Sequence, residues 1–366
     1  MKLIRFLMIG GFLGAGKTTT ISRLARHYTD AGLKVGLVTN DQAYDLVDTQ
    51  TLRSQGFAVG EVPGACFCCK FDDLIDTVDG LSEANEPDLI IAEPVGSCTD
   101  LVATVIQPMK ELFGDRFQLG PLVVLLKPEH GKKILAAKKG RGFSPKAEYI
   151  FLKQLEEADA IAINKIDKLS EEDQATLLQS VAERFEGIPA FGLSARTGDG
   201  FDDLLEAAAG EPRQRDRLME MDYQTYAEGE AELGWLNCQV AAEADERFEM
   251  DDLVLRLVQR IGEELANQEC EVAHLKVLGQ TLNDTAVANL VGSAAETEVS
   301  LASQIKSQKC DVLVNARVAA SPEQLSSVVE SVTTEIGNAM NIRLVVGNMQ
   351  SFRPAKPEPT HRAEKP

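Results

Sequence analysis

Gly11-Phe12-Leu13-Gly14-Ala15-Gly16-Lys17-Thr18 follows the apolar run Leu3–Gly10 and opens a stretch at helical spacing, Thr18–Ala31. A glycine-rich loop between a strand and a helix, closed by lysine and threonine, is the pattern of a phosphate-binding turn. Gly11, Gly14, Ala15 and Gly16 let the backbone fold tightly and aim its amides at phosphate, and the helix adds the positive end of its dipole. Lys17 is expected to neutralise β and γ oxygens, while Thr18 offers a hydroxyl to Mg²⁺ and Thr19 continues the turn. The ligand class is a nucleoside triphosphate.

Outward from this loop, short apolar runs alternate with helical stretches as far as residue 210. Strands are expected at Leu3–Gly10, Lys34–Thr39, Asp88–Ala92, Pro121–Leu126, Ala160–Ile163 and Pro189–Leu193, with helices at Thr18–Ala31, Tyr149–Glu157, Ser170–Phe185 and Gly200–Ala208. That alternation specifies an α/β, doubly wound, mostly parallel sheet, the P-loop NTPase arrangement, over residues 1–210. A charged stretch with few aliphatics, residues 211–232, reads as a linker. Residues 233–350 read β-α-β-β-α-β, a smaller α+β domain of ferredoxin-like type, with helices at Met250–Ala266 and Pro322–Gly337. The interval Gly279–Lys309 is too long for a hairpin loop and should contain a further short element. The proline-bearing end, residues 351–366, is expected to be disordered.

A net charge of −20 argues against nucleic acid or an anionic membrane as partner, since either polyanion would be repelled. One basic cluster stands out: Lys132, Lys133, Lys138, Lys139, Arg141 and Lys146. It reads first as a solvated insertion and second as a docking surface for an acidic partner. No apolar run reaches the ~18 residues of a membrane-spanning helix, and no leader precedes the first strand, so a cytoplasmic location with reduced thiols is expected.

Two segments choose the base. Asn164-Lys165-Ile166-Asp167 lies at the end of the run Ala160–Ile163, where ligands sit in open α/β sheets, and resembles the guanine-recognition motif of GTPases. A carboxylate at Asp167 accepts from guanine N1–H and the 2-amino group, a donor pair adenine lacks. Ser194-Ala195-Arg196 resembles the second guanine element, in which a backbone amide reaches the base oxygen. Further motifs are Val38-Thr39-Asn40-Asp41, Gly64-Ala65-Cys66-Phe67-Cys68-Cys69 and Glu93-Pro94-Val95-Gly96. Together these resemble the CobW, UreG and HypB group of metal-centre GTPases, most closely the CobW branch, over about the first 210 residues. The resemblance implies GTP and GDP as ligands, with Mg²⁺ held by Thr18, Glu93 and either Asp41 or Asp48. It also implies a water positioned by Glu93, a γ-phosphate contact at the Gly96 amide and slow turnover, with a homodimer and a client metalloprotein or corrinoid protein as partners.

Cys66, Cys68 and Cys69 stand too close together to be a chance cluster. Three thiolates at this spacing can converge on a soft or borderline ion, Zn²⁺ or another transition metal such as Co, Fe or Ni. A redox dithiol and buried apolar cysteines are the competing readings. Cys98 reads first as a small core cysteine and second as a further thiolate. The chain departs from the CobW pattern in two places. Its four histidines are scattered, which argues against a zinc-buffering tract, and Lys127 stands where relatives commonly show aspartate. The leading function is GTP hydrolysis coupled to delivery of a metal or metallocofactor. Its alternative is a GTP-dependent regulatory switch, or an accessory protein of a corrinoid enzyme, with structural or redox cysteines. A small-molecule kinase is disfavoured by the guanine motifs.

Overall fold

A computed structural model describes residues 3–42, 47–135, 144–212, 218–292 and 297–364. The chain forms two compact units, Met1–Gln42 with Phe57–Gly229 and Lys356–Pro366, and Ala43–Gly56 with Glu230–Ala355. In chain order the elements up to residue 230 are β1 (Ile4–Gly11), α1 (Lys17–Asp30), β2 (Val35–Asp41), α2 (Val47–Ser54), β3 (Ala58–Pro63), α3 (Phe71–Asn85), β4 (Leu89–Glu93), α4 (Gln107–Phe113), β5 (Phe117–Leu126), α5 (Pro128–Leu135), α6 (Pro145–Glu156), β6 (Ala160–Ile163), α7 (Glu171–Arg184), β7 (Ala190–Gly192), α8 (Phe201–Ala209) and α9 (Tyr223–Glu230).

The first unit is built on a seven-stranded sheet, order β3-β2-β4-β1-β5-β6-β7, in which every pairing is parallel. Leu89–Glu93 and Ala160–Ile163 are buried throughout, as strands covered by helices on both faces must be. Each fully buried aliphatic such as Ile9, Leu24 or Ile161 contributes about 1.5–3 kcal/mol, which fixes the register from which the loops hang. Side-chain oxygens of Ser144 and Ser170 cap α6 and α7, each accepting an amide at 3.1 Å. β1 lies at the centre of the sheet, so the loop after it opens at the carboxyl ends of the strands.

The second unit adds β8 (Gly234–Glu249), α10 (Met250–Asn267), β9 (Val272–Gln280), β10 (Thr285–Leu290), β11 (Glu298–Leu301), β12 (Lys306–Val318), α11 (Pro322–Met340) and β13 (Arg343–Phe352). Its sheet is antiparallel, order β11-β10-β9-β12-β8-β13. The four strands β9-β12-β8-β13 keep the ferredoxin-like order, and the interval Gly279–Lys309 supplies two further strands at one edge. Leu253, Val254, Leu257, Val258, Ile261 and Leu265 of α10 pack into one core with Leu325, Val328, Val329 and Val332 of α11 and with Val312 and Val314 of β12. The alternate face of β12 presents Leu313, which packs against a cluster of Val47, Leu278 and Val287. Thus α2, which follows β2 in the chain, belongs to the second unit.

Two expectations of organisation are corrected. The stretch 211–232 is more than a linker, because α9 forms within it and buries Tyr226 completely; its Arg213, Arg215, Asp216 and Arg217 lie outside the described residues. The end of the chain is ordered as far as residue 364, where main-chain bonds hold it: Thr360 N–H donates to Cys68 O at 2.8 Å and Ala363 N–H to Ala103 O at 2.8 Å. Of the basic cluster, Lys132 pairs with Asp173 at 2.9 Å and Lys146 with Glu228 at 2.9 Å. Lys138, Lys139 and Arg141 lie outside the described residues. No described helix is long and apolar enough to cross a membrane.

Candidate functional site

The turn between β1 and α1 carries positive φ at Gly11, Gly14 and Gly16 (135°, 72° and 93°), values that L side chains rarely adopt. A Cβ at Gly11 would lie 2.6 Å from Leu125 O, and one at Gly16 would strike the Asn164 amide nitrogen. Lys17, buried, donates to Gly11 O at 3.1 Å, folding its ammonium back over the loop mouth. Thr18 donates its hydroxyl to Glu93 Oε1 at 3.0 Å. Gly96 closes the group: a Cβ there would lie 2.8 Å from Leu13 Cδ2 and 3.2 Å from both Leu13 N and Lys17 Nζ. Opposed glycines, a cation and a hydroxyl–carboxylate pair fit a magnesium-bound triphosphate. Asp41 ends β2, where its carbonyl accepts the Gly64 amide at 3.1 Å. Asp48 lies in the second unit, its carboxylate paired with the Lys276 ammonium.

The guanine-type residues form one network. Asn164 donates to Ala15 O at 2.7 Å, and its Oδ1 accepts from the amides of Lys165 at 2.8 Å and Ala195 at 3.0 Å. One side chain therefore ties the turn after β1 to both guanine-type loops. Lys165 has φ 64°, a backbone conformation that costs energy and is maintained by those bonds. Asp167 accepts from the Ser194 hydroxyl at 2.7 Å and from Arg196 at 2.8 Å. Burial works to raise its pKa, but the Ser194 hydroxyl and the Arg196 charge outweigh burial and hold the carboxyl below its usual range. Sequence reasoning missed Arg23 of α1, which donates to Ala195 O at 2.8 Å and Arg196 O at 2.9 Å. A lone helical arginine carries no signal of that kind.

The loop after β3 gathers three thiols. Cys66 and Cys68 sulfurs lie 2.9 Å apart, Cys66 and Cys69 3.3 Å, and Cys68 and Cys69 3.7 Å. Hydrogen bonds from Cys68 and then Cys69 hold the Cys66 thiol well below its usual value, and Cys98 acts on it in the same direction. The same bonds to Cys66 push Cys69 up to about 12 and Cys68 well above its usual value. Three sulfurs this close form an arrangement that a soft cation could hold as thiolates, with release of protons. Cys238, Cys270 and Cys310 are buried in the core of the second unit.

Two ties position the thiol loop and the loop beside it. Asn40, at the end of β2, donates to Val62 O at 2.8 Å and Ala65 O at 2.7 Å and accepts the Phe67 amide at 2.8 Å. The loop after β4 runs from Glu93 at Thr18, past Gly96 at Lys17, to Cys98 at Cys66. Gln154 of α6 fastens it, donating to Gly96 O at 3.0 Å and Cys98 O at 2.8 Å. Beyond β5, Lys127 is buried with its pKa lowered by that burial, 3.7 Å from Glu129. His130 is likewise buried, its ring edge-on to Phe12 of the phosphate turn, and burial keeps it neutral.

Residues 5–190 match the family described as CobW/HypB/UreG, nucleotide-binding domain. The chain is 28% identical over 182 residues to the zinc chaperone YeiR of Escherichia coli, an alignment covering 48% of this chain and 50% of YeiR. It is 27% identical over 211 residues to the urease accessory protein UreG of Metallosphaera sedula, covering 53% of this chain and 88% of UreG. The chain therefore spans only half the length of YeiR. Among solved structures, the Zn(II)-bound YjiA GTPase of E. coli aligns with a TM-score of 0.41 at 16% identity, covering 91% of this chain and 99% of that one. With the phosphate turn, guanine-type loops and thiol cluster all inside or beside the matched span, the chain belongs to the CobW/HypB/UreG family.

Proposed function

We propose that this chain binds and hydrolyses GTP and couples that cycle to delivery of a metal ion, held by Cys66, Cys68 and Cys69, to a client metalloprotein. The observation that carries the reading is the loop Glu93–Cys98, which touches the phosphate turn at one end and the thiol cluster at the other.

Base recognition starts from Asp167. Its bond to Arg196 involves a guanidinium that is 61% exposed, so breaking it costs on the order of 1 kcal/mol or less, and the freed oxygen accepts from guanine. Ser194 stays in place and holds the carboxylate ionised. The amides of the turn Gly11–Thr18 and the Lys17 ammonium take the β- and γ-phosphates. Thr18 and Glu93, with Asp41, are the residues that would hold Mg²⁺, which when bound neutralises charge on those phosphate oxygens. Glu93, released from Thr18, is the carboxylate positioned to orient an attacking water. Loss of the γ-phosphate removes the contact at the Gly96 amide, and the strain is passed along the Gln154-fastened loop to Cys98 and Cys66.

A metal chaperone needs two states that bind its cargo unequally, and a loop shared by both sites supplies the differential contact. The names of YeiR, a zinc chaperone, and UreG, a urease accessory protein, support cargo delivery as the family's use of the cycle. The test is zinc content and phosphate release on the full chain. Near-stoichiometric zinc, lost in a Cys66→Ser, Cys68→Ser, Cys69→Ser variant that still binds GTP, supports the reading, as does phosphate released from GTP with no acceptor present. A variant that keeps its zinc would overturn the assigned ligands.

A further inference from the structure

The end of the chain, residues 356–364, runs along the thiol cluster and is fastened to it at several points. Glu358 N–H donates to the Cys69 sulfur at 3.2 Å. Thr360 donates its amide to Cys68 O at 2.8 Å and its hydroxyl to Cys69 O at 3.2 Å. The His361 ring stands edge-on to Phe71, centroids 5.0 Å apart, at the first residue of α3. Arg362 pairs with Asp100 at 2.8 Å and donates to Met219 O at 3.0 Å.

Asp100 is an unusual anchor. It is 1% exposed, holds φ 64°, and also accepts the Tyr223 hydroxyl at 2.8 Å. A carboxylate so buried needs a cationic partner, and the chain's own last residues provide it. Beneath the segment, Cys66 and Cys68 are only 2% and 1% exposed. An ion cannot pass between such sulfurs and a second protein while the cover is in place. Yet the cover is held by a handful of hydrogen bonds, one ring contact and one partly exposed ion pair, the kind of attachment that opens locally without unfolding the core.

We propose that residues 356–364 are a strap that closes over the thiol cluster and has to lift for a metal ion to be exchanged. The closing of the thiols stands by itself; the passage of metal rests on the cargo reading above. Asp100 lies two residues beyond Cys98, so the strap is anchored on the continuation of the loop that meets the phosphate turn. Opening can therefore be coupled to the nucleotide state.

The test uses the full chain, reduced and metal-free, with a water-soluble disulfide reagent, each modified cysteine being identified by mass spectrometry. Arg362→Ala removes the anchor, and Thr360→Pro removes the amide that Cys68 O accepts while leaving Asp100 its partner. Both should raise the modification rate of Cys66, Cys68 and Cys69 by about tenfold or more, as expected when a protecting segment opens. Cys238, Cys270 and Cys310 should react at the wild-type rate. If circular dichroism shows that Arg362→Ala has lost native structure, Thr360→Pro, checked in the same way, decides. Cluster thiols reacting at the wild-type rate in Thr360→Pro would overturn the strap. In zinc-loaded protein, transfer to a chelator should quicken in the same variants; faster thiol modification with unchanged transfer would overturn its role in metal exchange. A wild-type chain that holds no zinc would sink the cargo reading, and the thiol rates would still judge the strap.

Discussion

Glu157 follows α6 and lies buried beside the loop that carries Cys98, accepting the Thr99 hydroxyl at 3.1 Å and the Val102 amide at 3.1 Å. Burial is the largest influence on its carboxyl and the Asp100 charge adds to it, so that despite those two bonds its pKa rises from 4.5 to about 8. The folded protein therefore keeps a proton that the unfolded chain has lost. Stability from this group is fully present below about pH 4.5 and is lost as pH rises to about 8. At ~1.36 kcal/mol per unit, the loss is about 1 kcal/mol at pH 5, about 3 at pH 7 and about 5 at pH 9. Glu157→Gln cannot ionise and keeps the shape, so it should unfold like the wild type near pH 4.5 and be more stable by those amounts above it. Urea unfolding followed by circular dichroism at pH 5, 7 and 9 measures the gap. Fluorescence of Trp235, the single tryptophan, reports the second unit and should not change between the two proteins. Stability–pH curves that run parallel would refute the argument.

Three further outcomes are expected. Gly16→Ala should abolish nucleotide binding, since the new Cβ would break the Asn164–Ala15 bond and the left-handed backbone costs about 1–3 kcal/mol for a residue with a side chain; equilibrium dialysis of labelled GTP checks this. Asp167→Ala should weaken GTP by about 100-fold or more while leaving ATP affinity nearly unchanged, because two hydrogen bonds to a charged acceptor are lost only for guanine; competition binding reads the ratio. Thr18→Ala should lower the magnesium dependence of GTP binding, whereas Asp48→Asn should leave it as in the wild type and instead destabilise the second unit by about 1 kcal/mol through loss of the Lys276 pair, a difference that titration with and without Mg²⁺ and the Trp235 unfolding signal resolve.

The sheet of the first unit was legible because its strands are continuous apolar runs and its loops carry motifs whose chemistry demands a place. Leu89–Glu93 and Ala160–Ile163 can only be buried strands, and Asn164 and Asp167 follow directly from one of them. The half-buried edge strand Ala58–Pro63 was not read, since partial burial and a terminal proline blur its period. β10 and β11 hid in the interval Gly279–Lys309 for a similar reason: each is short, and pairing with β9 rather than composition makes them strands. The proline content after Phe352 reads as disorder because the groups that hold this segment, the carbonyls of Cys68, Cys69 and Ala103, belong to main chain far away in sequence. That α2, with Asp48, belongs to the second unit was not legible, since nothing local announces that Val47 docks on Leu278 and Val287. Cys98 gained meaning only in three dimensions, where a residue compatible with ordinary core packing meets Cys66.

The central claim is that the nucleotide state changes how tightly Cys66, Cys68 and Cys69 hold a metal ion. Zinc titration against a competing chromophoric chelator, on full chain loaded with a non-hydrolysable GTP analogue and on the same chain loaded with GDP, tests it most directly. A coupling of ~1–3 kcal/mol predicts zinc affinities that differ by about 5- to 150-fold between the two states. Equal affinities in both would contradict it.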